Sequence, residues 1–391
     1  MTSTTEPATA AATISGTGSA GTTGAAAPAF PGRIESLDVY RGFVMLLMMA
    51  EVLRLAAVSK AFPDSGLWQF LAWQQSHVPW RGGTLHDMIQ PSFSFLVGAA
   101  LPFSLAARAA RGQSSGTMTL HALWRAAILV FLGIFLRSVG KPMTNFTFED
   151  TLTQIGLGYP FLFLLGLRPR KEAWIALALL LAGVWAAWSF YPVAEPWAKN
   201  ANIGHDFDVW FLNLFPREKP FEANGGGYLT LSFIPTLATS ILGLIAGRWL
   251  ADGAPVSRYL FAGAAALGAG LLLDATGLCP IVKRIWTPAW VLASGGVCFW
   301  FLALFHWLVD VKERKGWAWA LTVVGTNSIA AYLIAHLWDG FIEKSLVTHL
   351  GAGTFRTLGA GYEPLLQGAA TLLVMWLFLA WMHRRRIFLR V

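Results

Sequence analysis

Charged residues and cysteines are scarce in this chain. Asp, Glu, Lys and Arg make up 13% of its 391 residues, against about 25% in ordinary soluble domains. Two cysteines are too few for a disulfide framework, and they leave the redox compartment open. Hydrophobic residues account for 55%, including 19 Trp and 27 Phe that suit lipid-facing surfaces and interfacial anchors. The composition excludes an ordinary soluble domain and predicts a polytopic membrane protein.

Several common enzyme motifs are absent as well. The chain has no glycine-rich phosphate loop, no H-E-x-x-H zinc spacing and no G-x-S-x-G nucleophile motif. We therefore expect no bound metal. The net charge of +8 does not indicate nucleic-acid binding, because the Lys and Arg residues punctuate apolar spans instead of forming one patch.

The first 32 residues differ from the rest of the chain. They are almost all Ala, Thr, Gly, Ser and Pro, with neither the basic start nor the apolar core of a secretory signal. We predict a disordered cytoplasmic tail over 1–32 and a transmembrane domain over 33–391. About ten apolar stretches in that domain are candidate membrane helices: 40–58, 88–107, 121–138, 152–167, 173–190, 229–250, 257–275, 289–310, 317–337 and 365–383. The predicted fold class is an all-α polytopic transmembrane helical bundle.

Basic clusters occur in alternate short loops, and they predict the orientation. If the N-terminus is cytoplasmic, all of them lie inside, as the positive-inside rule requires. They are Arg108 with Arg111, Arg168 with Arg170 and Lys171, Arg248 with Arg258, Lys312 with Arg314 and Lys315, and Arg384 to Arg386. We expect a multi-pass protein of the cell inner (plasma) membrane, with both termini cytoplasmic and the long loop 191–228 outside.

The most polar stretch lies just before the second predicted span. His77, Trp80, His86, Asp87 and two turn glycines fall within eleven residues. An imidazole titrates near neutrality and exchanges protons with amines and hydroxyls, and a carboxylate nearby can fix its tautomer. The stretch predicts a polar site at the outer mouth of a membrane helix. A histidine in such a loop is also common as a plain interfacial residue.

A second candidate feature lies at the start of the first span. Asp38 and Arg41 are three residues apart, so they share a helix face and can pair at the cytoplasmic surface. A structural role is sufficient to explain them. An arginine held there could also bind the phosphates of a cofactor such as coenzyme A, because guanidinium matches phosphate in a bidentate fork.

Polar residues also lie inside the predicted spans, where they usually face the bundle interior or a water-filled path. Glu51 and Arg54 are in the first span, Arg125 is in the third, and Asn327 is in the ninth. For the two arginines, snorkelling to the membrane surface is an equally good interpretation.

Five short motifs resemble, in their order along the chain, the heparan-α-glucosaminide N-acetyltransferase family and its bacterial relatives. They are Arg33-x-x-Ser36-x-Asp38-x-x-Arg41-Gly42 followed by His77-x-x-Trp80-x-Gly82-x-Thr84-x-x-Asp87-x-x-x-Pro91-x-Phe93; Thr153-Gln154-Ile155 through Tyr159; Pro235 through Gly243 and Gly247; Lys283-x-x-Trp286-Thr287; and Gly325-x-Asn327-Ser328-x-x-x-Tyr332. The resemblance covers most of the chain.

This resemblance implies a membrane acyltransferase that takes acetyl from cytosolic acetyl-CoA and delivers it to a sugar or amino-sugar acceptor on the outer face. It implies that His77 is catalytic, as a general base or as a transient acyl carrier, with Asp87 orienting it. We expect acetyl-CoA contacts from Arg41, Asp38, Asn327 and Tyr332, and acceptor contacts from Trp80, His86, Glu51, Lys283 and Trp286. The partners are then acetyl-CoA, the acceptor glycan and the bilayer, with a homodimer left open.

Three departures from the family's pattern leave the acceptor and the acyl group open. Glu51 stands nearest to the place of an asparagine, and Gln154 stands where the family has arginine. Where relatives read Asp-Leu-Val-Phe-Pro, His86 and Gln90 add an imidazole and an amide to this segment.

Two other functions compete with the enzyme. A transporter or flippase for an envelope glycan or lipid precursor would also need a polar path, although no self-similarity is visible between 34–190 and 229–383. An assembly partner of an envelope-polymer pathway would make His77 dispensable.

Overall fold

The computed structural model describes residues 34–389, and this range is almost entirely helical. Its α-helices are α1 (Glu35–Met49), α2 (Leu55–Ala61), α3 (Gly66–Gln74), α4 (Ile89–Ala109), α5 (Ser115–Ser138), α6 (Thr151–Gly166), α7 (Arg170–Ser189), α8 (Ile203–Leu212), α9 (Phe233–Ala251), α10 (Val256–Ala275), α11 (Pro288–Phe305), α12 (Trp319–Gly325), α13 (Ser328–Leu337), α14 (Asp339–Leu350) and α15 (Glu363–Arg384). No strand forms within 34–389, so the all-α prediction is confirmed for this range. The predicted tail, 1–32, lies outside the described residues.

Seven segments of the described chain are long and apolar enough to cross a membrane, or up to nine if two bent pairs each count as one span. The seven are His86–Ala109, Ser115–Ser138, Arg170–Ser189, Thr230–Ala251, Val256–Ala275, Pro288–Val311 and Ala360–Arg384. The pairs are Glu35–Leu53 with Leu55–Ala61, and Gly316–Gly325 with Ser328–Leu337. Together they indicate a multi-pass membrane protein.

The predicted count of about ten spans is not confirmed. Helix α6 has 16 residues, the same length as the predicted span 152–167. At about 1.5 Å of rise per residue its length is about 24 Å, which is short of the hydrocarbon thickness of about 30 Å.

Helix α9 lies at the centre of the bundle and packs most extensively against α4. Glycines make this contact close: Gly98 on α4, and Gly243 and Gly247 on α9. A Cβ atom at Gly243 would lie 1.9 Å from the carbonyl oxygen of Phe95, and one at Gly98 would lie 1.9 Å from that of Ser240. Small residues at such interfaces let helix backbones approach each other in a membrane. The contact fixes the position of α4, whose two ends bear the polar features described below.

The first predicted span is broken, because the helix bends by 43° between Glu35–Leu53 and Leu55–Ala61. Arg54 lies at the break in a left-handed backbone conformation with φ of 51°. Its guanidinium donates two hydrogen bonds, of 2.8 and 2.5 Å, to the carboxylate of Glu343 on α14. The arginine is thus held by an ion pair at the bend.

The ninth predicted span is also broken, by 68° between α12 and α13. Asn327 lies at this break and is completely buried. Its amide donates to the carbonyl of Ile387 at 2.8 Å and accepts from the N–H of Leu389 at 3.0 Å. The asparagine therefore fastens the C-terminal segment to the break.

The glycine contact between α4 and α9 predicts a stability effect. Gly243→Ala should destabilise the protein by about 1–3 kcal/mol, because the added methyl must push the backbone of α4 away. The measurement is the thermal unfolding midpoint of the detergent-solubilised protein. Gly268→Ala on α10 is the control, since nothing lies within 4 Å of a Cβ atom there. Equal midpoints for the two variants would contradict this account of the helix contact.

Candidate active site

The loop that carries His77 is shaped by a glycine turn. Gly82 has φ of 93°, a conformation that side chains disfavour, and its N–H donates to the carbonyl of Ile281 at 2.9 Å. Arg81 and Gly82 also form isolated bridges with Val282. These backbone contacts join the loop before α4 to the loop before α11, and they place Lys283 beside Asp87.

His77 and Asp87 form a dyad, as the sequence predicted they would be close. The Nδ1 atom of His77 lies 2.7 Å from Oδ1 of Asp87. The other oxygen of this fully buried carboxylate accepts from the N–H groups of Val78 at 3.3 Å and Thr84 at 3.1 Å, and from the Thr84 hydroxyl at 3.1 Å. A carboxylate at Nδ1 keeps the proton there, which leaves the lone pair of the neutral ring on Nε2. The side chain of His77 is 40% exposed, so the ring is accessible.

Lys283 provides a positive charge beside the Asp87 carboxylate of the dyad. Its ammonium lies 3.1 Å from Oδ1 of Asp87 and 3.2 Å from Nδ1 of His77, and its side chain is buried. Burial lowers the pKa of Lys283 from its ordinary value, although the Asp87 carboxylate opposes this change. The sequence predicted an acceptor contact for Lys283, and the structure adds this contact with the dyad.

A second histidine lies beside the first. The ring centroids of His77 and His86 are 4.6 Å apart. Nε2 of His86 lies 3.1 Å from Oε1 of Glu51, whose side chain is 58% exposed. His86 itself is buried, and its Nδ1 has no hydrogen-bond partner among the described residues. The two imidazoles therefore differ in exposure and in the nitrogen that a carboxylate contacts.

A cavity of about 530 Å³, the basic cavity, lies at the other end of α4. His86 and Arg108 are separated by 22 positions of nearly continuous helix, or about 33 Å, which is close to the thickness of the hydrocarbon core. The charged lining consists of Asp38, Arg41, Arg108, Arg111 and Arg125. The remaining lining is mostly apolar, so a cationic end continues into a nonpolar interior.

The predicted pair at the start of α1 is confirmed, with Arg41 and Asp38 joined at 3.0 Å on one helix face. Arg125 donates to the hydroxyl of Tyr159 at 3.3 Å and lies over the tyrosine ring, and its buried Nε has no partner in the described chain. The sequence predicts a phosphate contact only for Arg41 among the arginines of this cavity. It reads Arg108 and Arg111 as topology signals and leaves Arg125 open between the bundle interior and the membrane surface. Because Arg125 lies within an apolar span, where charges usually face the interior, it was the usable signal for this cavity.

Two further cavities lie beside the dyad. A middle chamber of about 140 Å³ is lined by Glu51, His77, His86 and Lys283, and also by Arg137, Glu149 and Tyr228. It shares Phe93, Thr151 and Tyr332 with the basic cavity. A third cavity of about 520 Å³, called the outer cavity after the topology that the sequence predicts, shares Glu51, His77 and His86 with the middle chamber and adds Arg54 and Lys60. The three cavities thus adjoin one another along the length of the bundle.

The middle chamber is strongly polar. Arg137 pairs with Asp150 at 3.1 Å, and the hydroxyl of Tyr332 lies 3.5 Å from the same carboxylate. Burial raises the pKa of Glu149, which lies in the loop before α6. Tyr332, predicted as an acetyl-CoA contact, stands where the chamber meets the basic cavity.

Three residues predicted as ligand contacts line none of these cavities. Trp286 is buried in the core and donates its indole N–H to the Thr239 hydroxyl at 3.1 Å. Trp80 donates to the carbonyl of Trp197 at 3.1 Å and so ties the site loop to the long loop. Asn327, with both ends of its amide engaged at the helix break, is the third. Their spacing in the sequence gave no sign that their polar atoms are used internally.

The long loop 191–228 is folded against the bundle. Asp208 on α8 is buried and accepts from the backbone N–H of Thr230 at 2.9 Å. Burial raises the pKa of Asp208 to about 6. The loop contributes Tyr228 to the middle chamber. No group of three or more His, Cys, Asp or Glu residues that could hold a metal ion occurs within 34–389.

Comparison with known proteins gives a distant relationship. No family model matches the chain. It is 21% identical over 380 residues to heparan-alpha-glucosaminide N-acetyltransferase of Homo sapiens, which covers 80% of this chain and 54% of that protein. It is 25% identical over 104 residues to the protein of the same name from Mus musculus, covering 27% and 14%. The chain spans about half the length of the human protein, and the similarity indicates a distant relative of the heparan-alpha-glucosaminide N-acetyltransferases.

Proposed function

We propose that this protein is a transmembrane acyltransferase that moves an acetyl group from cytosolic acetyl-CoA to a sugar or amino sugar on the outer face. The observation that carries the proposal is the series of adjoining cavities between the arginine-lined end of α4 and the His77–Asp87 dyad. The similarity to membrane N-acetyltransferases supports the same reaction class.

The basic cavity suits the donor. Coenzyme A carries phosphates at one end and a long, weakly polar arm at the other. Arg41, Arg108 and Arg111 supply guanidinium groups for phosphates, which they bind in bidentate geometry. The apolar interior accepts the arm, and the thioester then reaches Tyr332 and the middle chamber. Asn327 contributes indirectly, because it holds the segment whose Leu389 lines the cavity.

The dyad suits the transfer step. Nε2 of His77 takes the proton of the acceptor amine or hydroxyl, while Asp87 fixes the tautomer and Lys283 pairs with the Asp87 carboxylate. The same lone pair could instead carry the acetyl group transiently. Incubation with labelled acetyl-CoA without an acceptor separates these routes, since only the carrier route labels the protein at His77.

The acceptor enters from the outer cavity in this scheme, and the basic cavity faces the cytoplasm. Purified protein in vesicles, supplied with labelled acetyl-CoA and a panel of amino sugars, tests the proposal against a transporter. Acetyl transfer supports the enzyme. Movement of the sugar without acetylation would support the transporter instead.

The orientation gives one prediction. Lys312→Cys should be unreactive toward a membrane-impermeant maleimide in intact cells and reactive after permeabilisation, whereas Glu222→Cys should react in both. The native Cys279 and Cys298 are completely buried and should not react with the maleimide. Labelling of Lys312→Cys in intact cells would reverse the topology.

The role of His77 gives a second prediction. His77→Ala should lower turnover by at least about 10²-fold, the usual range for loss of a general base, and leave acetyl-CoA affinity within about twofold. Acetyl transfer and binding are measured separately on the purified variant. His349→Ala, at an exposed position on α14, is the matched control. Near-normal turnover of His77→Ala would refute the assignment.

The donor site gives a third prediction. Arg108→Gln should weaken acetyl-CoA binding by about tenfold, because a charge-assisted hydrogen bond contributes roughly 1.5–3 kcal/mol. Isothermal titration with acetyl-CoA measures the effect. Arg314→Gln removes an exposed arginine that does not line the cavity, and it should bind normally. Equal affinities of the two variants would place the donor elsewhere.

A further inference from the structure

The two histidines of the site differ in exposure. Both line the middle chamber and the outer cavity. His77 is exposed to the side from which the acceptor arrives under the proposed function, whereas His86 is buried. The thioester reaches the site from the middle chamber, so its sulfur arrives on the buried side. This asymmetry separates the group near the acceptor from the group near the sulfur.

The contacts of the two rings also suit opposite proton-transfer roles. Asp87 holds the proton of His77 on Nδ1 and leaves Nε2 free to accept one. Glu51 lies at Nε2 of His86, so the carboxylate accepts the proton on that nitrogen. Nδ1 of His86 has no partner among the described residues, so an imidazolium at this position has its Nδ1–H group free to donate. Nε2 of His77 is thus the free proton acceptor of the site, and Nδ1 of His86 is the free donor.

The departing sulfur needs such a donor. A free thiol has a pKa of about 8.5, and removal from water raises it because the thiolate loses solvation. The middle chamber encloses about 140 Å³, so a thiolate formed there has little water around it. A protonated imidazole at this point removes the charge as it forms.

We propose that His86, held by Glu51, is the catalytic acid that protonates the leaving sulfur of coenzyme A, so that the site divides acid and base chemistry between two histidines. The inference rests on the proposed acetyl transfer and adds a catalytic role for His86, in place of the acceptor contact that the sequence predicted.

The step is balanced in atoms and protons. The acceptor nitrogen or oxygen forms a bond to the thioester carbonyl carbon, and Nε2 of His77 takes the acceptor's proton. The carbon–sulfur bond breaks, its electron pair stays on sulfur, and the sulfur takes the proton from Nδ1 of His86, while the Nε2–H group of this ring stays bonded to Glu51. The products are the acetylated acceptor and the free thiol of coenzyme A. Return of one proton from His77 to His86, directly or through solvent, restores the site.

The test compares two acyl donors that differ in their need for a proton. Acetyl-CoA releases an alkyl thiolate, which needs a proton. An acetyl nitrothiophenyl thioester releases a stable aryl thiolate, which needs none. His86→Gln should slow transfer from acetyl-CoA by about 10²-fold and transfer from the aryl thioester by less than about threefold. His77→Gln should slow both donors to a similar degree, because the acceptor still has to lose its proton. The control His349→Gln should match the unmodified protein with both.

Glu51→Gln provides a second variant. Because the Glu51 side chain is more than half exposed, we expect this variant to fold normally. It should show the same dependence on the donor with a smaller loss, about tenfold for acetyl-CoA. Equal slowing of both donors in His86→Gln and Glu51→Gln, or no slowing in either, would overturn the acid role while leaving the enzyme assignment intact. Absence of transfer from both donors in the unmodified protein would instead overturn the proposed function.

Discussion

The buried carboxylate of Asp87 is the contact on which the geometry of the site depends. A buried charge is tolerated when it is paired and hydrogen-bonded, and here the donors come from separate parts of the chain. His77 and Thr84 belong to the loop before α4, and Lys283 belongs to the loop before α11. The carboxylate also lies at the start of a helix, where the helix dipole favours a negative charge. One side chain therefore joins two loops to the end of α4.

Helix breaks frame the cavities that lead to this carboxylate. Non-helical backbone at membrane depth is tolerated where it is buried in protein or lines a cavity. The break between α12 and α13 meets this condition, because Gly325 and Ser328 line the basic cavity. The break at Arg54 borders the outer cavity. Both interruptions therefore lie at the wall of a cavity.

Local sequence patterns predicted the parts of the structure that depend on short separations. The apolar stretches form helices. Asp38 and Arg41, three residues apart, are in contact, and so are His77 and Asp87, ten residues apart. The pairing of Lys283 with Asp87 depends on the packing of distant segments, which composition and periodicity do not encode. Hydropathy gives the length of an apolar stretch, but it does not detect a bend within that stretch. It therefore missed both breaks, although it gave α6 its correct length of 16 residues.

The junction formed by Phe93, Thr151 and Tyr332 has a consequence for how the donor is used. Under the proposed function, a nucleotide carrier bound by the arginines of the basic cavity is too large to follow its acetyl group into a chamber of about 140 Å³. The compartment that makes the activated donor then exports two carbon atoms in each cycle and retains the carrier for recharging.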